Sequence, residues 1–187
     1  MLGDELERLM KTDLKCVSKN FTCDMFLFSC FTGLSYSDLK NLQHGHIQQY
    51  IDGNRWIVLN RQKTGTASYI PILPFAQQIL DKYADKEKAE RNDYVFKIKT
   101  LSNFNTQLKQ IAKIAKIDKN LTFHMSRHTY ATTVCLNNGV PIESLSQMLG
   151  HTSIKTTQIY AQVTRTKINE DMTNLERRIE GQYKLAQ

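Results

Sequence analysis

The segment that decides the fold class is residues 47–72, IQQYIDGNRWIVLNRQKTGTASYIPI. Three runs within it are rich in β-branched and aromatic residues: 47–51, 55–61 and 68–72. The turn sequences Asp52-Gly53-Asn54 and Thr64-Gly65-Thr66 separate these runs. We therefore predict a three-stranded antiparallel sheet, which Pro71 and Pro74 close.

On both sides of this sheet, apolar residues recur at the three- and four-residue steps of amphipathic helices. Before the sheet, we predict an N-terminal helix, a more apolar helix over residues 21–31, and a short helix that Ser35 or Ser37 caps and that ends at Leu42. After the sheet, we predict helices over residues 74–84, 102–116, 123–138, 141–149, 153–162 and 165–183. The fold class is therefore α+β: a single, mostly helical domain with one small sheet.

The composition narrows the class of protein. The chain has 25 Lys and Arg against 18 Asp and Glu, a formal net charge of +7, which attracts polyanions but is also common among proteins that bind none. No apolar run approaches the roughly 18 residues of a membrane span. Four cysteines form no CxxC pair, and three of them recur every seven residues, which indicates reduced core residues of a cytoplasmic protein: Cys16, Cys23, Cys30 and Cys135.

Three separated segments carry candidate chemistry. The first is HMSRH at residues 124–128, whose histidines and arginine lie towards one face of a helix. The second is LGH at residues 149–151, which Tyr160 follows nine residues after the histidine. The third is RQKTG at residues 61–65, at the tip of the second predicted hairpin. Taken singly, each has an ordinary explanation as a polar helix surface, a half-buried tyrosine or a solvated lysine.

Together and in this order, the first two segments resemble the second signature box of the tyrosine recombinases, the phage integrase family. The hairpin falls where that family keeps its catalytic lysine, and residues 31–39, FTGLSYSDL, are similar to the family's first box. The resemblance covers roughly residues 15–165. It implies the fold of DNA breaking-and-rejoining enzymes and an activity that cleaves and rejoins DNA strands through a 3′-phosphotyrosine intermediate.

The resemblance also implies a role for each matched side chain. Tyr160 is the expected nucleophile at phosphorus. Arg127 and His151 are expected to bind the non-bridging phosphate oxygens as negative charge develops on them. His124 is expected to accept or return the tyrosine proton, and Lys63 to protonate the leaving 5′ oxygen.

One position departs from the family pattern. The first box places an arginine directly after Thr-Gly-Leu, where this chain has Ser35, and a serine cannot supply a bidentate cation. We predict that Arg61 enters the site instead, because side chains at i and i+2 of a strand point to one face and Lys63 is expected in the site. Arg55, near the opposite end of the strand, is the alternative. His128 either joins the chemistry or only braces its helix.

The expected function is site-specific DNA recombination or integration by a mobile element. Two alternatives stay open: DNA relaxation of the type IB topoisomerase kind, and a catalytically weakened relative that only binds DNA. The phosphotyrosine ester keeps the energy of the broken bond, so we expect no cofactor. The sequence also has neither a phosphate-binding glycine loop nor an acidic metal cluster, so no metal is expected.

Two helices are expected to contact partners. Lys109, Lys113 and Lys116 recur at four- and three-residue steps, and we predict that this lysine stripe binds the phosphates of double-stranded DNA rather than being only a solvated face. The tail helix within residues 165–187 has a narrow apolar stripe, which we predict docks on its own or a neighbouring subunit: Ile168, Met172, Leu175 and Ile179.

The family resemblance also implies a domain organisation. Residues 1–187 are expected to form one catalytic domain, with residues 1–14 as an N-terminal helix or linker. The N-terminal domain that clamps DNA in such recombinases is expected to be absent from this chain. The chain alone is expected to be monomeric, and the full-length protein to assemble as a tetramer on DNA without contacting a membrane.

Overall fold

The computed structural model describes residues 1, 3–50, 53–83, 94–161, 165–180 and 182. Its regular elements follow one another in this order: α1 (Gly3–Lys11), α2 (Val17–Thr32), α3 (Tyr36–Lys40), β1 (Ile47–Gln49), β2 (Arg55–Asn60), β3 (Ala67–Pro71), α4 (Pro74–Tyr83), α5 (Leu101–Ile114), α6 (His124–Thr129), α7 (Ile142–Leu149), α8 (Ile154–Gln158) and α9 (Arg165–Ile179). This order confirms the mostly helical α+β fold. None of these helices is both long and apolar enough to cross a membrane.

The sheet has the predicted antiparallel order β1-β2-β3, with Ile57 of β2 opposite Ile47 and Ile70. Side chains at alternate positions of β2 and β3 are buried against the helices. The second hairpin differs from the prediction, since β2 ends at Asn60 and residues 62–64 form a turn. The alternation by which we placed Arg61 and Lys63 on one strand face is therefore wrong.

The central element of the core is α2, which packs against α4, α5 and α6. Met25, Phe26 and Phe28 are completely buried, because this helix is apolar around most of its circumference. It begins one turn earlier than predicted. Cys23, Cys30 and Cys135 are buried as expected, whereas Cys16 precedes the helix and is exposed; all four are free thiols.

The turn between α2 and α3 is determined by Gly33 and Ser35. Gly33 ends α2 with φ +67°, and a Cβ atom there would lie 2.4 Å from the ring of Tyr130, so only glycine fits. Ser35 is the N-cap of α3, and it forms a capping box with Asp38. These two residues set the backbone conformation of the turn and thereby position the Gly33 carbonyl, within the segment of residues 31–39.

The predicted helix over residues 123–138 is not continuous. α6 is followed by a π-helical stretch over Tyr130–Cys135 and a short 3-10 helix over Leu136–Asn138. The hydroxyl of Thr132 donates to the carbonyl of His128 at 2.8 Å, a side-chain bond of the kind that competes with the helical ladder. The wider turn places Tyr130 in a second apolar cluster together with Leu145, Leu149 and Tyr160.

Two helix ends also differ from the prediction. α8 ends at Gln158, so Tyr160 lies in the turn after this helix and not on it. α5 ends at Ile114, which leaves Lys116 outside the helix with φ 54°. Residue 51 of the first predicted strand and residues 84, 162, 181 and 183 of the predicted helices lie outside the described residues.

Candidate active site

Arg127 lies where three distant parts of the chain meet. Its Nη1 donates to the Gly33 carbonyl at 2.7 Å, and its Nη2 donates to the Leu149 carbonyl at 2.6 Å. The same Nη2 lies 3.0 Å from Nε2 of His151. Burial, and then the positive charge of Arg61, lower the pKa of Arg127 to about 10. Arg127 is thus a partly buried cation that two backbone carbonyl groups hold in place.

His151 is a half-buried imidazole next to this cation. Gly150, which ends α7 with φ 63° immediately before His151, lies against the stem of Arg61, because a Cβ atom at Gly150 would lie 2.5 Å from Arg61 Cγ. Burial, and then the charges of Arg127 and Arg61, lower the pKa of His151 to about 4. The free site therefore holds a neutral imidazole at neutral pH.

Tyr160 is only 8% exposed and packs between two imidazoles. Its ring is nearly parallel to that of His151, with centroids 6.5 Å apart, and meets His128 edge to face at 4.8 Å. His124 follows at 5.1 Å from His128. The imidazole that contacts Tyr160 is therefore that of His128, whereas the sequence favoured His124. Burial and the neighbouring charge of His124 lower the pKa of His128, which favours its basic form.

Arg61 is buried, with 4% exposure, and does not face solvent. Its Nη1 forms a salt bridge with Oδ2 of Asp38 at 3.0 Å, and its Nη2 donates to the Met148 carbonyl. Its Nε is buried without a hydrogen-bond partner among the described residues. Its charge lowers the pKa of both Arg127 and His151. Arg61 thus lies within electrostatic reach of both groups.

Asp38 holds Arg61 in this position. Its Oδ1 accepts from the backbone N–H of Gln62 at 2.9 Å, and its Oδ2 accepts from the hydroxyl of Ser35 at 2.6 Å. Burial raises the pKa of Asp38, but hydrogen bonds from Ser35 and Gln62 and the charge of Arg61 lower it overall. From the sequence we inferred only that Asp38 lies in the first turn of a helix. The signal that could have identified it as a partner for a cation is its position, three residues after Ser35, where the family has an arginine.

Lys63 and Arg55, the remaining candidates for the site, lie nearer the protein surface than Arg61 does. Lys63 is exposed in the hairpin turn, and Thr64 ties that turn to the loop of His151 through a 3.4 Å hydrogen bond to the Gly150 carbonyl. Arg55 is half-buried and pairs with the exposed Asp81 at 3.4 Å, so the alternative to Arg61 is directed to the surface.

The lysine stripe is exposed at all three positions: Lys109, Lys113 and Lys116. One turn before Lys109, the Asn105 side chain accepts from the backbone N–H of Phe123 at 2.8 Å, next to the start of α6. Lys109 and Lys113 therefore share one side of α5, and Lys116 follows the end of this helix.

The arrangement suits a tetrahedral anion. Two guanidinium groups lie close enough to depress a pKa, and a neutral imidazole and a phenol lie beside them. An anion bound beside Arg127, His151 and Tyr160 would relieve the repulsion between the two cations and accept hydrogen bonds from Arg127. Among the described residues, no group of three His, Cys, Asp or Glu side chains could hold a metal ion.

Known proteins share both the sequence pattern and the fold. The model of the phage integrase family matches residues 1–167. Tyrosine recombinase XerD of Listeria monocytogenes (serotype 4b, strain F2365) is 31% identical over 150 residues, which are 74% of this chain and 49% of that protein. XerD of Halalkalibacterium halodurans is 33% identical over 148 residues, 74% of this chain and 45% of that protein. The chain thus spans about half the length of these relatives.

Solved structures agree with this result. XerA recombinase superposes with a TM-score of 0.71 at 26% identity, over 93% of this chain and 64% of that chain. The catalytic domain of bacteriophage HP1 integrase shares the fold with a TM-score of 0.60 at 19% identity, over 92% of each chain. Since the family model covers nearly the whole chain, this chain belongs to the phage integrase family of tyrosine recombinases.

Proposed function

We propose that this chain is the catalytic domain of a site-specific DNA recombinase or integrase of a mobile element. The observation that carries the proposal is the convergence of Arg127, His151 and Tyr160 at one partly buried place. These residues come from separate parts of the sequence, and an arginine fork with an imidazole beside a phenol is the donor set that phosphoryl transfer to tyrosine needs.

The scissile phosphate would bind against Arg127 and His151. Arg127 has five N–H groups, and the carbonyls of Gly33 and Leu149 hold the guanidinium in place. The buried Arg61 supplies a second positive charge behind Arg127. This charge replaces the one that the family's arginine would provide at position 35, where this chain has a neutral serine. Because this charge is buried and preorganised, it stabilises the transition state without rearrangement during the reaction.

In the proposed reaction, the Tyr160 oxygen forms a bond to phosphorus and the bond from phosphorus to the 5′ oxygen breaks. The proton of Tyr160 passes to the imidazole pair of His128 and His124, since His128 contacts the ring and His124 contacts His128. Lys63 donates a proton to the leaving 5′ oxygen when the hairpin turn closes on DNA. The reverse steps rejoin a strand, so no cofactor is needed.

Structural neighbours support double-stranded DNA as the partner. The Tn1549 transposon integrase was solved in complex with transposon right end DNA, and XerH recombinase was solved bound to its difH substrate. A relative that only binds DNA would need no gathered set of nucleophile, arginine and imidazoles. No observation favours the relaxing activity over recombination.

A DNA substrate with a nick close to the scissile phosphate tests the proposal. Cleavage releases the short end, so that rejoining fails and a protease-sensitive covalent adduct accumulates. We expect the full-length protein to form this adduct on a site selected from random-sequence DNA and to recombine two duplexes that carry the site. Failure to form any adduct would refute an enzymatic function, and adduct formation without recombination would favour the topoisomerase-like alternative.

We expect the lysine stripe to set the salt dependence of DNA binding. Changing Lys109, Lys113 and Lys116 to glutamine should weaken binding uniformly across sequences and reduce the slope of log K against log salt by about 1 to 3, because each phosphate contact contributes about 0.9. Binding titrations at several salt concentrations measure this slope. The matched control replaces exposed lysines away from the stripe, Lys11, Lys15 and Lys82. An unchanged slope in the stripe variant would place α5 outside the interface.

We also expect the α9 stripe to dock on a second subunit. Its four apolar side chains are between 37% and 58% exposed, so the isolated chain leaves them uncovered: Ile168, Met172, Leu175 and Ile179. Removing residues 167–187 should abolish cooperative binding to DNA with two sites but leave single-site affinity unchanged, because subunit contacts rather than DNA contacts are lost. Glu176→Gln, on the polar side of the helix, is the control. Unaltered cooperativity in the truncated protein would contradict docking in trans.

A further inference from the structure

Thr157 is a completely buried residue that lies next to Nδ1 of His151. Its Oγ1 is 2.8 Å from His151 Nδ1. Its backbone carbonyl accepts the N–H of Tyr160 at 3.0 Å, so one residue joins the imidazole to the turn that carries the tyrosine. Neither the sequence pattern nor the proposed reaction assigns this hydroxyl a role.

The direction of these hydrogen bonds follows from the donors and acceptors present. A guanidinium can only donate, so His151 Nε2, at 3.0 Å from Arg127 Nη2, must present its lone pair. The pKa of His151 is lowered to about 4, first by burial, so its ring is neutral and has one N–H. That proton is on Nδ1, and Nδ1 donates to the Thr157 oxygen.

This tautomer cannot serve the phosphate, because Nε2 has no proton to donate. A phosphate oxygen that takes over the donor of Arg127 needs the opposite arrangement, with the proton on Nε2 and the lone pair on Nδ1. A hydroxyl accommodates both arrangements by rotating its own hydrogen, since it accepts from Nδ1–H in one and donates to Nδ1 in the other. The heavy atoms occupy the same positions in both arrangements.

We propose that Thr157 is a positioning residue that allows His151 to change tautomer when the scissile phosphate binds, so that Nε2–H faces the phosphate only in the DNA complex. The ring loses the proton at Nδ1 and gains one at Nε2 by exchange with solvent while its hydrogen bond to the buried Thr157 is open, so its proton count and charge are unchanged. The inference rests on the proposed function, because the phosphate is what displaces Arg127 from Nε2. The same hydroxyl also fixes the imidazole relative to the turn of Tyr160.

Three substitutions on α8 separate this role from simple packing. Thr157→Val keeps the shape and removes the hydroxyl; it should lower the single-turnover cleavage rate at saturating DNA by about 10²-fold, as expected for a lost oxyanion donor, without changing DNA affinity. Thr157→Ser retains a hydroxyl and should recover most of the rate. Thr156→Val makes the same chemical change at an exposed neighbour and should cleave normally.

Nitrogen NMR of ¹⁵N-histidine-labelled protein reads the tautomer directly. The His151 signals are assigned by their loss in His151→Gln, and Tyr160→Phe keeps the DNA intact during the measurement. We expect Nδ1–H in the free full-length protein and Nε2–H in its complex with a duplex that carries the selected site. An Nε2–H tautomer in the free protein, normal cleavage by Thr157→Val, or equal loss in Thr157→Ser would each overturn the inference. Absence of any adduct with the unmodified protein would instead refute the proposed function.

Discussion

Tyr160→Phe is expected to abolish covalent attachment to nicked DNA while leaving the fold and the DNA affinity nearly unchanged. The substitution removes only the hydroxyl, and the ring keeps its packing against His128 and His151. Removing the nucleophile of an enzyme that forms a covalent intermediate typically costs on the order of 10⁴- to 10⁶-fold in rate. Denaturing gels with and without protease measure the adduct, and thermal unfolding reports the stability.

A matched control exists in the same apolar cluster. Tyr130 is the other buried tyrosine there, and its hydroxyl contacts the sulfur of Met148. Tyr130→Phe should therefore retain the adduct. A Tyr160→Phe protein that still forms a protease-sensitive adduct would show that another side chain is the nucleophile.

Removing the charge of Arg61 should produce the second large effect on the cleavage rate. The variant must be chosen so that the fold is not destabilised at the same time. Arg61→Ala alone would leave Asp38 as an unpaired buried carboxylate, which destabilises a fold by about 3–5 kcal/mol. Its cleavage would then fall for two reasons. The double variant Arg61→Met with Asp38→Asn removes both charges and should unfold near the original temperature, because neutral replacement of a buried pair is often tolerated.

We expect this double variant to bind DNA normally and to cleave about 10²-fold more slowly, because the lost interaction strengthens as charge develops in the transition state. Adding Ser35→Arg should recover part of the rate, since it returns a guanidinium to the position that the family uses. Arg55→Met is the control, because Arg55 lies on the same strand, is half-buried and pairs with Asp81 at the surface. Full cleavage by the double variant would show that Arg61 has only a structural role.

The partners of Arg61 bear on how a chain with Ser35 can still form this site. The Ser35 hydroxyl donates to the carboxylate that holds Arg61, so the substituted residue supports the proposed replacement instead of competing with it. The stem of Arg61 also lies against Gly150, the residue that ends α7 immediately before His151. A larger residue at position 150 would displace the Arg61 side chain, because a Cβ atom there would lie 2.5 Å from Arg61 Cγ.

The sequence by itself determined the elements that local patterns encode. The runs of β-branched and aromatic residues and the turn sequences between them specified the three-stranded sheet, and the apolar character of residues 21–31 specified the core helix. The positions of Gly33 and Gly150 marked helix ends, because both residues adopt the left-handed backbone conformation that glycine tolerates best. The motif spacing also identified the family, which the family model confirms over residues 1–167.

Tertiary structure decided the features that depend on contacts between distant residues. The π-helical stretch after α6 and the early end of α8 move Tyr130 and Tyr160 into one cluster, although helical periodicity predicted continuous helices. Whether His124 or His128 meets Tyr160 depends on how α6 packs beside the turn after α8, and no local pattern encodes that packing. Likewise, Arg61 pairs with Asp38, 23 residues away in the sequence, and Arg127 donates to the Gly33 carbonyl, 94 residues away. A buried cation needs oxygen partners, and the tertiary packing decides which oxygens are within reach.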